Sequence, residues 1–545
     1  MRFVRVFFPF LVVLALCPAS MAQHHDHPGG DPERLGTVNF PISCAPAAHE
    51  QFNRAMAMLH SFWYAKAEKE FRAVAEKDPA CAMAYWGVAM SQYRLLWEFP
   101  GAEELRNGRA AIAKAKELGA KTQRERDYVA ALDAYYRDSD KTDNATRAKN
   151  YERAMADLYR RYPDDLEAGM FYALTLLRNG LPPDKTYANQ KKAGAIAERA
   201  FQRLPEHPGT AHYVIHSYDY PALADRALEA ARRYAKVAPD VPHALHMPSH
   251  IFTRLGLWGE SVKSNLDSAE AARKYDWPGE ELHAMDYLMY AYLQKGQDGK
   301  AADLLASLPA VKLGEPSAFA GFFARAAIPA RYALERNRWD EAAKLDVPPN
   351  VFPGGRYAWT EATFAFARGL GAARSGQLDK ARAAITHLES AHKTLLESKE
   401  PYWAGQVDIQ RQIVAAWLTL AEGEPEDALA RMRAAANAED ATEKHPVTPG
   451  SIRPARELLG EMLVELKRGA EALPEFEAAL KAAPGRFNAL YGAGRAAELA
   501  GNTAKASQYY TMLMELASEG DGARAELTAA REFLAKHSPA FPSRK

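Results

Sequence analysis

From Ala47 onward, apolar side chains recur three and four residues apart and are interrupted at short intervals by Pro, Gly or Asp. That spacing lays the apolar residues along one stripe of a helix, and no stretch sustains the alternation of a half-buried strand. The chain therefore predicts an all-α protein of short, paired helices. The clearest unit runs from Arg453 to Arg486 and contains Leu459, Gly460, Ala472, Phe476, Ala479 and Pro484 in order. The next unit, from Phe487, keeps Gly494, Ala506 and Tyr510. Glycine and alanine let two helices approach closely, the aromatic ring fills the space between them, and proline ends the second helix. Ala67, Phe71 and Pro79, followed by Tyr85, Trp86 and Gly87, repeat the order near the N-terminus. About eleven to thirteen helical pairs would cover residues 44–545 as one continuous array, with softer joints near 308–316 and 347–355.

These residues resemble the tetratricopeptide-repeat family, whose unit is about 34 residues long. The resemblance implies a right-handed α-α superhelical solenoid whose concave groove is lined by fixed positions of each first helix. Segments 246–252 and 437–450 also resemble ones in exported bacterial tetratricopeptide-repeat proteins, a group that carries no established activity.

Chemistry concentrates at one place. His212 and His216 are four residues apart, and so are His246 and His250, one repeat further on. Four residues is just over one helical turn, so each pair shares a helix face. In the register of the family, His243 and His283 join them in the groove, with Asp286, Asp219, Arg254 and Tyr290 nearby. Packed helices lie roughly 8 to 10 Å apart, so imidazoles from neighbouring repeats can meet. His212, His216, His243, His246, His250 and His283 with Asp286 form a candidate ligand set for zinc, copper, nickel or iron. Pro248 falls inside the presumed helix and predicts a kink between His246 and His250.

Three further readings use the same groove. Arg254 with partly protonated histidines would clamp an anion or a peptide without metal. A metal-dependent hydrolytic or redox enzyme would need an open coordination position and a base such as Asp219 or Asp286. A purely structural scaffold would need none of this chemistry. No spacing in the chain proposes a catalytic residue. Trp86 and Tyr93 fall at groove positions and would extend a ligand surface, with helix packing as the alternative. The polar stretch 437–450, with Asp440, Glu443, Lys444 and His445, is either a functional loop or a capped turn.

Residues 1–22 read as a signal peptide: Arg2 and Arg5, an apolar run, then Ser20-Met21-Ala22. They predict an exported protein, periplasmic or secreted. Residues 23–43, which include His24, His25 and His27, read as a flexible segment. In an oxidising compartment Cys44 and Cys81 are expected to form a disulfide, with two buried thiols as the alternative. The 69 basic and 69 acidic side chains balance, which argues against nucleic acid as a partner. No later apolar run reaches the roughly 18 residues a membrane span needs. The partner this reading leaves is a protein or peptide in the concave groove.

Overall fold

In a computed structural model, residues 33–537 are described, apart from 95, 97, 98, 183, 314–317 and 350. The described residues form twenty-six α-helices and a few 3-10 turns, with no strand. Each helix packs chiefly on the next one in sequence, which builds a right-handed α-α solenoid of tetratricopeptide-like hairpins. Among the described residues no helix is long and apolar enough to cross a membrane.

The small-against-aromatic rule is visible atom by atom. A Cβ added to Gly87 would lie 2.2 Å from the ring of Phe71, and one added to Gly492 would lie 2.2 Å from Phe476. Gly194 bears the same relation to Tyr218, and Gly494 to Tyr510. Each glycine is the space that its partner ring occupies.

Two departures from a uniform array shape the surroundings of the histidines. The first is the N-terminal arm. Residues 34–43, expected to be flexible, instead bury Leu35, Val38, Phe40 and Ile42, and Phe40 packs on Phe52, Trp86 and Tyr128. Burial of Leu35, Val38, Phe40 and Ile42 supplies the driving force, since each buried side chain contributes about 1.5–3 kcal/mol. Arg34 pairs with Asp240 at 3.0 Å, so the arm reaches the middle repeats. His24, His25 and His27, and the leader, lie outside the described residues. Cys44 and Cys81 are joined by a disulfide that closes a separation of 37 residues, worth about 4 kcal/mol by loop entropy.

The second departure is closure of the superhelix on itself. Trp63 stacks on Trp277, which sets the first repeat against the middle of the chain. From the other end, Trp258 Nε1 donates to the Gly485 carbonyl at 2.8 Å, and the Phe487 amide donates to Gln294 at 3.0 Å. Arg524 pairs with Asp298 at 2.6 Å. The repeats between about 208 and 294 are therefore covered from both sides. Short 3-10 turns fall at Leu308–Ala310 and Gly355–Tyr357, and a stub helix at Trp339–Ala342.

Candidate metal centre

The helix Pro208–Tyr218 carries His212 and His216. The next first helix is split by Pro248 into Pro242–His246 and Pro248–Arg254. Proline has no N–H to give, and the first bond beyond it, from the His250 amide to the Met247 carbonyl, spans only three residues. The axis bends there, yet His246 and His250 still face the same way. Pro278–Gln294 supplies His283.

The six imidazoles converge, and none is more than 7% exposed. Their nitrogens fall into two trios, His212/His216/His243 and His246/His250/His283, each with ligand atoms within 4.8 Å of one another. Each trio takes an i, i+4 pair from one repeat and one histidine from the next. The trios abut, with ring centroids of His243 and His246 6.2 Å apart and those of His216 and His250 6.4 Å apart. Phe62, from the first repeat, lies over the first trio, 4.3 Å from His212, 5.5 Å from His216 and 5.7 Å from His243. Tyr287 lies over the second, 4.8 Å from both His246 and His250.

The outer nitrogens fix the tautomers. His212 Nδ1 donates to the His60 carbonyl at 2.7 Å, and His243 Nδ1 donates to Glu280 at 3.0 Å. His246 Nδ1 donates to Asn265 Oδ1 at 2.7 Å; the Asn265 amide nitrogen is engaged with the Ser261 carbonyl, so its oxygen faces the ring. His250 Nδ1 donates to Asp219 at 2.8 Å. A neutral imidazole carries one N–H, so His212, His246 and His250 turn a bare Nε2 inward. His246 Nε2 and His250 Nε2 lie 3.0 Å apart, and so do His212 Nε2 and His216 Nε2. Burial lowers the pKa of His246 to about 4, and it lowers those of His212, His216, His250 and His283 as well. All of these rings are neutral near pH 7.

A third buried group, His60, Glu167 and His207, differs in kind. His207 Nδ1 accepts from the Gly209 amide at 3.1 Å, so its Nε2–H donates to Glu167 at 3.0 Å. His60 bonds Glu167 and the Tyr213 hydroxyl, both at 2.8 Å. Every nitrogen in this group has a complementary partner. It is a closed polar network, and it holds the carbonyl on which His212 rests.

The other expected site residues sort differently. Asp286 is turned away from the trios towards Arg331, 3.4 Å away, and is not in either ligand group; burial raises its pKa to about 6. Asp219 stands behind His250 and also holds Lys444 at 2.5 Å. Arg254 lies 3.6 Å from Asp219 and donates to the Pro449 carbonyl. Tyr290 accepts from Arg486 at 2.7 Å. Trp86 and Tyr93 are not groove residues: Trp86 packs on Phe40, Tyr128 and Phe171, and Tyr93 on Tyr135 and Tyr151. The aromatic arm and the first repeats close over them, and hydrophobic burial decides the matter.

Nor is the groove open at the histidines. The stretch 441–454 crosses it as a strap. Lys185 bonds the Thr442 carbonyl at 2.7 Å and Glu443 at 2.6 Å, Lys444 reaches Asp219, and Arg331 bonds the carbonyls of Gly450 and Ser451 at 2.6 and 2.8 Å. A peptide lying in the groove does not reach the imidazoles. Beyond the strap is a cavity of about 710 Å³ walled by Trp359, Tyr402, Trp403, Arg254 and Tyr290.

Neither a protein-family model nor a curated protein matches the chain. Among solved structures it is similar to the Naa15/Naa10 complex bound to HypK-THB, at 13% identity over 90% of this chain and 74% of that one, with a TM-score of 0.23. It is also similar to the human IFIT1 dimer with m7Gppp-AAAA, at 13% identity over 80% and 90% of the two chains, with a TM-score of 0.35. At such scores neither likeness bears on function.

Proposed function

We propose that the protein is an exported, tetratricopeptide-like scaffold whose buried histidine centre binds a transition metal. One observation carries this. His246 and His250 both spend their N–H on oxygen acceptors, which leaves two lone pairs facing each other 3.0 Å apart. Two neutral lone pairs at that distance repel, and a cation between them removes the conflict. Two nitrogens on one ion with bonds of about 2.0–2.1 Å sit roughly 3 to 4 Å apart, the separation found here. Locking the outer N–H on a carboxylate, amide or carbonyl is the usual support of a metal-bound imidazole. The Cys44–Cys81 disulfide supports an oxidising compartment.

The test is thermal unfolding of protein stripped by a chelator and then supplied with zinc, copper, nickel, ferrous iron or magnesium. A ligand at a hundredfold excess over its Kd stabilises the folded state by about 2.7 kcal/mol. The expected result is a midpoint raised by at least one transition metal and not by magnesium, with a smaller rise in His246→Ala/His250→Ala. Midpoints unmoved by every metal would overturn the proposal.

A metal-dependent enzyme is the second reading, favoured by a gap of about 20 Å³ bordered by His216, Asp219, Tyr220 and Lys444. That is room for one water beside the first trio.

A further inference from the structure

Resting on the metal-binding reading, we infer that the centre is binuclear, with one ion in each histidine trio, and that the ion is copper, held as Cu(I). Repetition is the first ground. His212, His216 and His243 stand in one repeat and the next as His246, His250 and His283 stand one repeat later. The solenoid translates one ligand set onto the other. What makes the first a site makes the second one too.

Distance separates the two. Nitrogens bound to one ion are at most about 4 Å apart, twice the bond length. Within each trio the ligand atoms lie within 4.8 Å, a spread that small side-chain movements close, and the nitrogens group as two trios and not as a set of six. A single ion would leave three buried imidazoles without one, including a close pair 3.0 Å apart at whichever end it left. The supports are duplicated as well. Each trio has two rings anchored through Nδ1, on the His60 carbonyl and Glu280 in the first, on Asn265 and Asp219 in the second. Each also has its own aromatic cover, Phe62 or Tyr287.

Charge selects the ion. All six ligands are imidazoles, with no thiolate or carboxylate among them. Asp219 and Glu280 are carboxylates that hold ligand rings, and Asp219 is already engaged by Lys444 and Arg254. Two divalent ions would bury four positive charges against those two carboxylates, while two monovalent ions bring half as many. Unbalanced buried charge is costly, so the site favours the lower charge. Imidazole suits copper. Three nitrogens satisfy Cu(I), a closed-shell ion with no preference for a fourth or fifth ligand.

The experiment is an anaerobic titration of the stripped full-length protein with Cu(I), delivered from its acetonitrile complex against a chromophoric competitor, and a parallel titration with zinc sulfate. The expected result is saturation at two copper ions per chain. His212→Ala/His216→Ala and His246→Ala/His250→Ala should each retain one ion, with the helical circular dichroism of the wild type. Saturation at one ion, lost in either double variant, would overturn the binuclear centre and leave the metal-binding reading standing. Two zinc ions with no copper taken up would overturn the choice of copper. Uptake of neither metal by the wild type would end the copper centre, and the metal-binding reading falls with it when nickel and ferrous iron also leave the thermal midpoint unmoved. Should a double variant fail to fold, the wild-type end point of one or two decides the count.

Discussion

At the scale of single residues, tautomers separate a ligand from a core histidine. His60 and His207 are as buried as His246 and His250, and they too lie beside carboxylates or hydrogen-bonding side chains. The difference is where each proton goes. In the His60–Glu167–His207 group every donor meets an acceptor, whereas His246 and His250 present acceptor to acceptor. Asn265 is therefore a positioning residue, because its Oδ1 holds the His246 proton on the outer nitrogen. Asn265→Leu keeps the branched heavy-atom shape and removes the acceptor. The expected outcome is metal affinity 10- to 100-fold weaker with stoichiometry unchanged, read by competition titration. Unchanged affinity would show that the ring needs no such anchor.

At the scale of elements, the helices are legible in the sequence and the strap is not. The i, i+4 histidine pairs and the one-repeat offset bring four imidazoles onto neighbouring helices, because a solenoid copies each position onto the next unit, and the register of the repeat adds His243 and His283. The same periodicity puts Trp86 and Tyr93 in a groove, and fails there because an arm outside the repeat fills the space. Register alone makes Asp286 a ligand; its carboxylate is instead drawn to Arg331, which comes from a later repeat. Asn265 and Glu280 give no signal, since neither lies in a recurrent position. The polar stretch 437–450 carries only composition, and nothing local says that Lys444 reaches across to Asp219, 225 residues back in the chain.

Where the strap begins, Glu439 accepts the Ala455 amide at 2.7 Å, and burial raises its pKa to about 7. An unfolded glutamate titrates near 4.3. Between the two values the folded protein holds a proton that the unfolded chain has released, so this group's contribution to stability falls as pH rises from about 4.3 to 7. In Glu439→Gln that decline should disappear from the denaturation midpoints measured between pH 5 and 7. An unaltered slope would rule out the carboxyl as its source.

At the scale of the whole molecule, closure depends on a buried ionic junction. Arg486 bonds Glu457 at 2.8 Å, Glu335 at 2.7 Å and the Tyr290 hydroxyl, while Arg453 lies 3.4 Å from Glu335 and 3.3 Å from Glu457. These five buried side chains, from Tyr290, Glu335 and the unit between Arg453 and Arg486, thus join the C-terminal turn to the histidine-bearing helix. Removing one partner from such a set strands charge in the interior, at about 3–5 kcal/mol. Arg486→Met should lose that much stability in chemical denaturation. A loss under 1 kcal/mol would mean that water reaches the junction.

The strap has a consequence for timing. It is made some two hundred residues after the histidines, yet it shuts the compartment that they line. During synthesis the cage exists before its door. Under the proposed metal binding, an ion entering the finished molecule has to pass this stretch, so its exchange rate should depend on the contacts of Lys444 with Asp219 and of Arg331 with the Gly450 and Ser451 carbonyls.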